Sequence, residues 1–241
     1  MRYRRGIVRF LFFCALFLML DSVYLFTDYF ESDYESLTIA IMDNSVGYNN
    51  LYIIVGIVVT AIYILSLSRI NFVKDSTFIV RNGKKNYLKY LVKDASISAI
   101  LISFEFVFAQ VLVCTVRFEN ELLRDTAFYQ CCILYMLMLC SYFLTVGIST
   151  VLISIILGQS KASYLISAAI FIALNSLILC NIEISPLYFS EFISDWFTSG
   201  CFDWLEYIIN IIKCMCAFLA MNYLANIILL RKDLIFDEQQ N

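Results

Sequence analysis

Residues 127–157 contain no charged side chain, and this run restricts the possible folds more than any other feature of the sequence. As a helix it exceeds the roughly 20 apolar residues needed to cross a hydrocarbon core about 30 Å thick. The whole chain is 61% hydrophobic and only 15% charged, whereas soluble domains average about 45–50% and about 25%. So few charges cannot cover so much apolar surface in water. We therefore expect an integral membrane protein whose excess apolar surface faces lipid.

Six segments have the length and apolarity of a membrane-spanning helix, and none shows the period-two alternation of a barrel strand. They are residues 7–26, 51–67, 95–116, 127–157, 162–182 and 204–230. The fourth is long enough that it must tilt, kink near Gly147 or extend beyond the bilayer. The first follows an arginine cluster but lacks a small-residue cleavage motif, so we interpret it as an uncleaved span. The sequence thus predicts an all-α, single transmembrane domain over residues 1–241.

Basic residues are distributed very unevenly between the two sides of this arrangement. If the N-terminus is cytosolic, 14 of the 17 Lys and Arg residues lie inside, Arg117 and Arg124 lie outside, and Lys213 lies within a span. Cytosolic loops of membrane proteins carry such an excess of Lys and Arg. Because six is an even number, both the N-terminus and the C-terminus are predicted to be cytosolic.

The motifs of common enzymes are missing from the sequence. It contains no phosphate-binding P-loop, no G-x-S-x-G nucleophile elbow and no H-E-x-x-H zinc motif. It also has no histidine, the commonest metal ligand and general base. Eight of the nine cysteines lie in or beside predicted spans, where a free thiol behaves as a small apolar group. We expect no enzyme activity and no metal site, and the net charge of −3 gives no indication of nucleic-acid binding.

Glu105 and Lys213 are ionisable residues deep within predicted spans. Counted from the outer ends of their helices, they lie about 16 Å and about 14 Å deep, so an ion pair is geometrically possible. Such residues usually face the protein interior and often pair. They form either a polar contact on a translocation route or a structural link between helices. Gln110, five residues after Glu105, points to a different sector of its helix.

The cytosolic loop at residues 68–94 is the most distinctive soluble stretch. A short apolar group is followed by a basic and turn-forming sequence: Phe78, Ile79, Val80, Arg81, Asn82, Gly83, Lys84 and Lys85. Asn–Gly pairs commonly supply a positive φ, so one short helix should end here and another begin near Asn86. Tyr87, Leu88, Tyr90 and Leu91 then form an apolar helical stripe. The loop suits docking to another protein, or alternatively lying on anionic lipid.

In these features the chain resembles the permease subunits of bacterial ABC exporters, in the small six-span class that includes bacteriocin- or lantibiotic-immunity and peptide-export permeases. The resemblance rests on chain size, on six spans, and on residues 78–85 followed by Tyr87, which are similar to the apolar-Arg-x-Gly-basic stretch before span three. Residues 186–204, rich in aromatics, resemble the outer re-entrant hairpin between the last two spans. The ending Arg231-Lys232-Asp233 is also usual in that family.

The resemblance implies that residues 68–94 hold a coupling helix seated in a groove of a separate ABC ATPase. The implied contact residues are Phe78, Ile79, Val80, Arg81, Asn82, Gly83, Lys84, Lys85 and Tyr87. It further implies a homo- or heterodimer of permeases in a bacterial cell membrane, with ATP and Mg²⁺ bound by the ATPase and no cofactor bound by this chain. The cargo would be a hydrophobic or amphipathic molecule, such as a peptide or lipid-like substrate.

The energy source can also be argued from the residues. A transporter without a nucleotide site needs either a powered partner or an ion gradient. Six-span ion-coupled carriers usually place carboxylates and glycine-rich broken helices at the midplane, whereas this chain offers Glu105 and few glycines. An ATPase partner is the better hypothesis. The alternatives are a non-transporting immunity or assembly protein that binds a partner and, less favoured, a membrane enzyme.

Overall fold

The computed structural model describes residues 2–25, 51–71, 75–157, 161–176 and 203–231. The elements in these ranges are helical, which confirms the all-α class for the described part of the chain. A π-helical segment, Leu51–Val59, continues directly into the second α-helix. The α-helices are α1 Arg2–Leu25, α2 Thr60–Asn71, α3 Asp75–Arg117, α4 Asn120–Asp125, α5 Phe128–Leu157, α6 Lys161–Ser176 and α7 Trp204–Arg231.

Among the described residues, three helical stretches are long and apolar enough to cross a membrane, namely Gly83–Arg117, Phe128–Leu157 and Trp204–Arg231. Shorter apolar helices occupy Phe10–Val23, Ile53–Leu67 and Ala162–Ser176, within the other predicted spans. These helices indicate a membrane protein, while the count of six spans and the cytosolic side of the termini stay predictions. The predicted outer hairpin at 186–204 lies outside the described residues except for its last two positions.

The charge-free run forms the central helix of the bundle. Of the 30 residues of α5, 19 are buried, because α2, α3, α4, α6 and α7 all pack against it. A helix that is apolar on every side must be surrounded by other apolar groups, either protein side chains or lipid. The chain's own helices supply much of that cover, so the longest apolar run faces protein more than lipid.

Side-chain contacts between helix ends give the directions of the three long helices. The Tyr207 hydroxyl near the start of α7 donates to the Leu134 carbonyl near the start of α5, at 3.2 Å. The Lys84 ammonium donates to the carbonyl of Leu230 at the end of α7, at 3.4 Å. Helices α5 and α7 are therefore parallel, and the apolar part of α3 runs opposite to both.

Gly147 lies within α5, which continues unbroken through this position. Its role is close packing: an added Cβ would collide with the Tyr63 hydroxyl and lie 3.3 Å from the Cβ of Ala95. The Tyr63 hydroxyl occupies this space because it donates to the Ala95 carbonyl at 3.0 Å. Small residues let membrane helices approach in this way, and here α2, α3 and α5 meet.

Candidate functional site

The loop predicted to couple to a partner is largely helical and contains a sharp break. Gly83 has φ 77° and ψ 157° inside α3, a region of backbone space that is essentially restricted to glycine. The positive φ expected from Asn82–Gly83 is confirmed. The helix resumes directly at Lys84 rather than near Asn86. We call Gly83, with its helical arms at residues 75–82 and 84–91, the elbow.

The second arm of the elbow is anchored in the chain's own core. Tyr87, Leu88 and Leu91 are only 2%, 5% and 2% exposed, which confirms the apolar stripe, and Lys85 is exposed. The Lys84 ammonium reaches a carbonyl in the last turn of α7, where a cation is favourable because the final carbonyls of a helix are unpaired. The elbow is thus fixed both to the core and to the end of α7.

The first arm carries the apolar group proposed to dock. Its backbone is helical from Asp75, but the side chains of Phe78, Ile79, Val80, Arg81 and Asn82 lie outside the described part of the structure. Their contact with an ATPase stays a prediction. Tyr87, which the family resemblance also assigns to that contact, is buried within this chain and positions the arm from the inside.

The predicted intramembrane polar residues occupy different environments. Glu105 and Gln110 on α3 are 3% and 2% exposed, as expected for polar groups kept from lipid. Lys213 lies on an exposed side of α7, and its ammonium group donates to Asn210 Oδ1 at 3.3 Å. Helices α3 and α7 do contact each other. The pairing of Glu105 with Lys213 stays a prediction.

A buried hydrogen-bond network that the sequence did not predict joins the π-helical segment and α2 to α5 and α6. Asn175 Nδ2 donates to the Gly56 carbonyl at 2.7 Å and to the Tyr142 hydroxyl at 2.9 Å. Thr60 Oγ1 donates to the Val55 carbonyl at 2.8 Å and lies 3.0 Å from the Tyr142 hydroxyl. A threonine hydroxyl has a single proton, so Tyr142 donates in the last contact.

The network supports the π-helical segment. Membrane segments need internal partners for every backbone polar group, and a π-helix departs from the usual bonding pattern. Here the Thr60 and Asn175 side chains bind two carbonyls of Leu51–Val59. The available signal was Asn175 itself, a lone amide in an apolar run, but the sequence does not show that it meets Tyr142.

Replacing Asn175 with leucine should destabilise the bundle by about 1–3 kcal/mol. The change removes both donated hydrogen bonds and leaves buried oxygen atoms on Gly56 and Tyr142 without that donor. Thermal unfolding of the detergent-purified protein measures the effect. Gln130→Leu is the matched control, because Gln130 is an exposed amide on α5. Equal melting temperatures for the two variants would show that the network adds nothing to stability.

A second missed residue is Asp21, which lies in the predicted first span. It is fully buried, with 0% exposure. Neither carboxylate oxygen has a hydrogen-bond partner among the described residues. The sequence pattern pointed to Glu105 and Lys213 as the ionisable residues deep in the spans, and Asp21 was not among them.

Comparison with known proteins gives no relative, because no family model, no curated protein and no solved structure matches the chain. The resemblance to ABC permeases therefore rests on layout and on the elbow sequence. The function has to be argued from the residues of this chain.

Proposed function

We propose that this chain is the permease subunit of an ATP-driven ABC exporter that carries a hydrophobic or amphipathic substrate, with a peptide as the first candidate. The observation that supports this most is the elbow. The first arm is a short helix whose apolar residues are followed by basic ones. It joins a long apolar helix at Gly83, whose backbone conformation is essentially restricted to glycine. Such an arm presents a separate docking element while remaining joined to a membrane helix.

The anchoring of the elbow supports a role in transmitting force. Tyr87, Leu88 and Leu91 pack into the core directly after Gly83, and Lys84 connects to the end of α7. Helix α3 then packs on α1, α5 and α7. A partner that displaces the first arm would therefore shift the start of α3 against the bundle. ATP binding and hydrolysis would belong to that partner, and this chain's residues would carry the displacement.

A second permease chain is part of the proposal. ATP sites of ABC ATPases form between two ATPase subunits, and one elbow can engage one of them. Helix α7 offers surface for such a neighbour, since only 17% of its most apolar stretch is buried, compared with 61% and 67% for α3 and α5. Lipid would cover whatever part of this face the second chain leaves open.

Purification of the tagged chain from its native membranes in mild detergent tests the proposal. We expect an ATPase with a Walker-type phosphate loop to co-purify, in a complex whose intact mass corresponds to two permease-type chains and two ATPases. A chain that purifies alone, or with one permease for two ATPases, would contradict the proposal. Co-purification with a protein lacking a nucleotide site would favour the alternative of a partner-binding immunity or assembly protein.

A further inference from the structure

Asp21 presents an energetic problem that the proposed transport function does not address. Its side chain is fully buried on α1, which packs against α3, and it interacts electrostatically with Cys132 of α5. Both carboxylate oxygens lack a hydrogen-bond partner among the described residues. An ionised carboxylate buried without donors is strongly unfavourable, and a protein normally resolves this by neutralising the group.

Among the described residues, the titratable groups close to Asp21 are two thiols, which do not supply a compensating charge. Cys114 of α3 and Cys132 of α5 are its close titratable neighbours, and both are buried. Free thiols titrate at about 8.5, so they are mostly neutral at pH 7. Arg117, the nearest basic residue along α3, lies three positions beyond Cys114 towards the helix end.

A second buried polar atom without a hydrogen-bond partner among the described residues lies on α5 close to Cys132. Tyr135 lies one helical turn after Cys132 on α5, is 3% exposed, and its hydroxyl has no hydrogen-bond partner in the described residues. Within the described ranges, no cluster of three Cys, Asp or Glu residues is placed to hold a metal ion. The cation that fits a single enclosed carboxylate is the proton.

We propose that Asp21 is a proton-binding site that holds α1 against α3 and α5. In the packed junction the carboxyl group is neutral. When the junction opens, the carboxyl O–H bond breaks, the proton passes to an entering water molecule, and the bond's electrons stay on the carboxylate. The ligand is therefore a proton from solvent, and its release is linked to separation of α1 from its neighbours.

The direction of the pH dependence follows from this. The packed protein holds a proton that a solvated aspartate, titrating at about 3.9, has lost at neutral pH. Folding then binds a proton, so stability falls as the pH rises through the neutral range. Asparagine has the shape of a neutral aspartic acid and cannot lose this proton. Asp21→Asn should remove this contribution to the pH dependence.

Infrared titration of the purified full-length chain in detergent micelles tests the site. At neutral pH, wild type should show a protonated-carboxyl C=O band that Asp21→Asn lacks and that disappears as the pH rises. Glu121→Gln, an exposed acid on α4, should leave that band unchanged, and Glu105→Gln identifies any band from the other buried acid. Identical protonated-carboxyl spectra for wild type and Asp21→Asn at neutral pH would overturn the proposal.

A measurement on the unmodified protein covers the case in which the variant does not fold. A lipid-soluble carbodiimide reacts with protonated carboxyl groups. Mass spectrometry of peptides from the labelled protein identifies the modified residue. We expect an adduct on Asp21 at neutral pH that decreases as the pH rises. Modification of Glu105, which is also buried at 3% exposure, without modification of Asp21 would count against the site. The melting temperature provides an independent check, since it should fall less with rising pH in Asp21→Asn than in wild type.

Discussion

Gly147→Leu is expected to prevent folding of the bundle, and Gly147→Ala to destabilise it by about 2 kcal/mol. Even a methyl group at this position would collide with the Tyr63 hydroxyl and lie 3.3 Å from the Cβ of Ala95. Neither neighbour can move easily, because both are buried in the core and the hydroxyl is bonded to the Ala95 carbonyl. Unfolding of the purified protein in detergent measures the loss.

A double-mutant cycle with Tyr63→Phe identifies the cause. Alone, Tyr63→Phe should cost about 1 kcal/mol through loss of the bond to Ala95. In that background Gly147→Ala should cost much less, because the obstructing oxygen is gone and alanine favours a helix by about 1 kcal/mol. A smaller cost should remain, because the ring carbon of residue 63 would still lie 3.2 Å from the added Cβ. Tyr207→Phe is the control, since it removes a comparable hydroxyl bond to Leu134 elsewhere. Additive effects for Gly147 and Tyr63 would contradict the packing explanation.

If the proposed ATPase partner binds the elbow, Gly83→Ala is expected to abolish that association while leaving membrane levels normal. A Cβ at this position would meet no atom within 4 Å, so the effect is confined to the backbone. For a residue with a side chain, the φ of 77° seen at Gly83 is unfavourable by about 1–3 kcal/mol. Alanine would relieve this strain by adopting helical angles, which would straighten α3. The first arm would then point in a different direction. Co-purification with the ATPase, scaled to the amount of chain in the membrane, gives the readout.

Phe78→Asp tests the first arm of the elbow without altering the backbone at Gly83. It places a charge in the proposed apolar contact, where unpaired burial is unfavourable, and association should again be lost. Lys93→Ala, an exposed change further along the same helix and outside the proposed contact, is the control. If the loop instead binds anionic lipid, neutralising Lys84, Lys85 and Lys89 together should have the largest effect, and high salt should weaken it. Association that survives both Gly83→Ala and Phe78→Asp would show that the elbow is not the coupling element.

The elbow and the helices were predictable because local sequence determines them. An Asn–Gly pair commonly supplies a positive φ, and Gly83 adopts one here. The stripe of Tyr87, Leu88 and Leu91 was predictable because apolar residues at this spacing fall on one face of a helix. Likewise, long apolar runs without charges have few alternatives to helix in a membrane.

What the sequence did not reveal depends on which helices meet. Lipid tails and protein interiors are equally apolar, so hydropathy could not show that residues 127–157 form a central helix rather than a lipid-facing one. Gly147 suggested a kink, whereas the structure assigns it to a close helix crossing. The bonds of Asn175 join residues 119 and 33 positions apart, and no local pattern predicts such partners.

The π-helical segment affects how the chain tolerates changes in length. A π turn holds more residues than an α turn, so deletion of one residue within Leu51–Val59 could restore regular α-helix and leave the side chains of α2 facing the same neighbours. The same deletion in the middle of α5 would rotate every following residue by about 100° and expose its buried half. Length variation among related chains should therefore be tolerated at the start of this segment and excluded from the central helix.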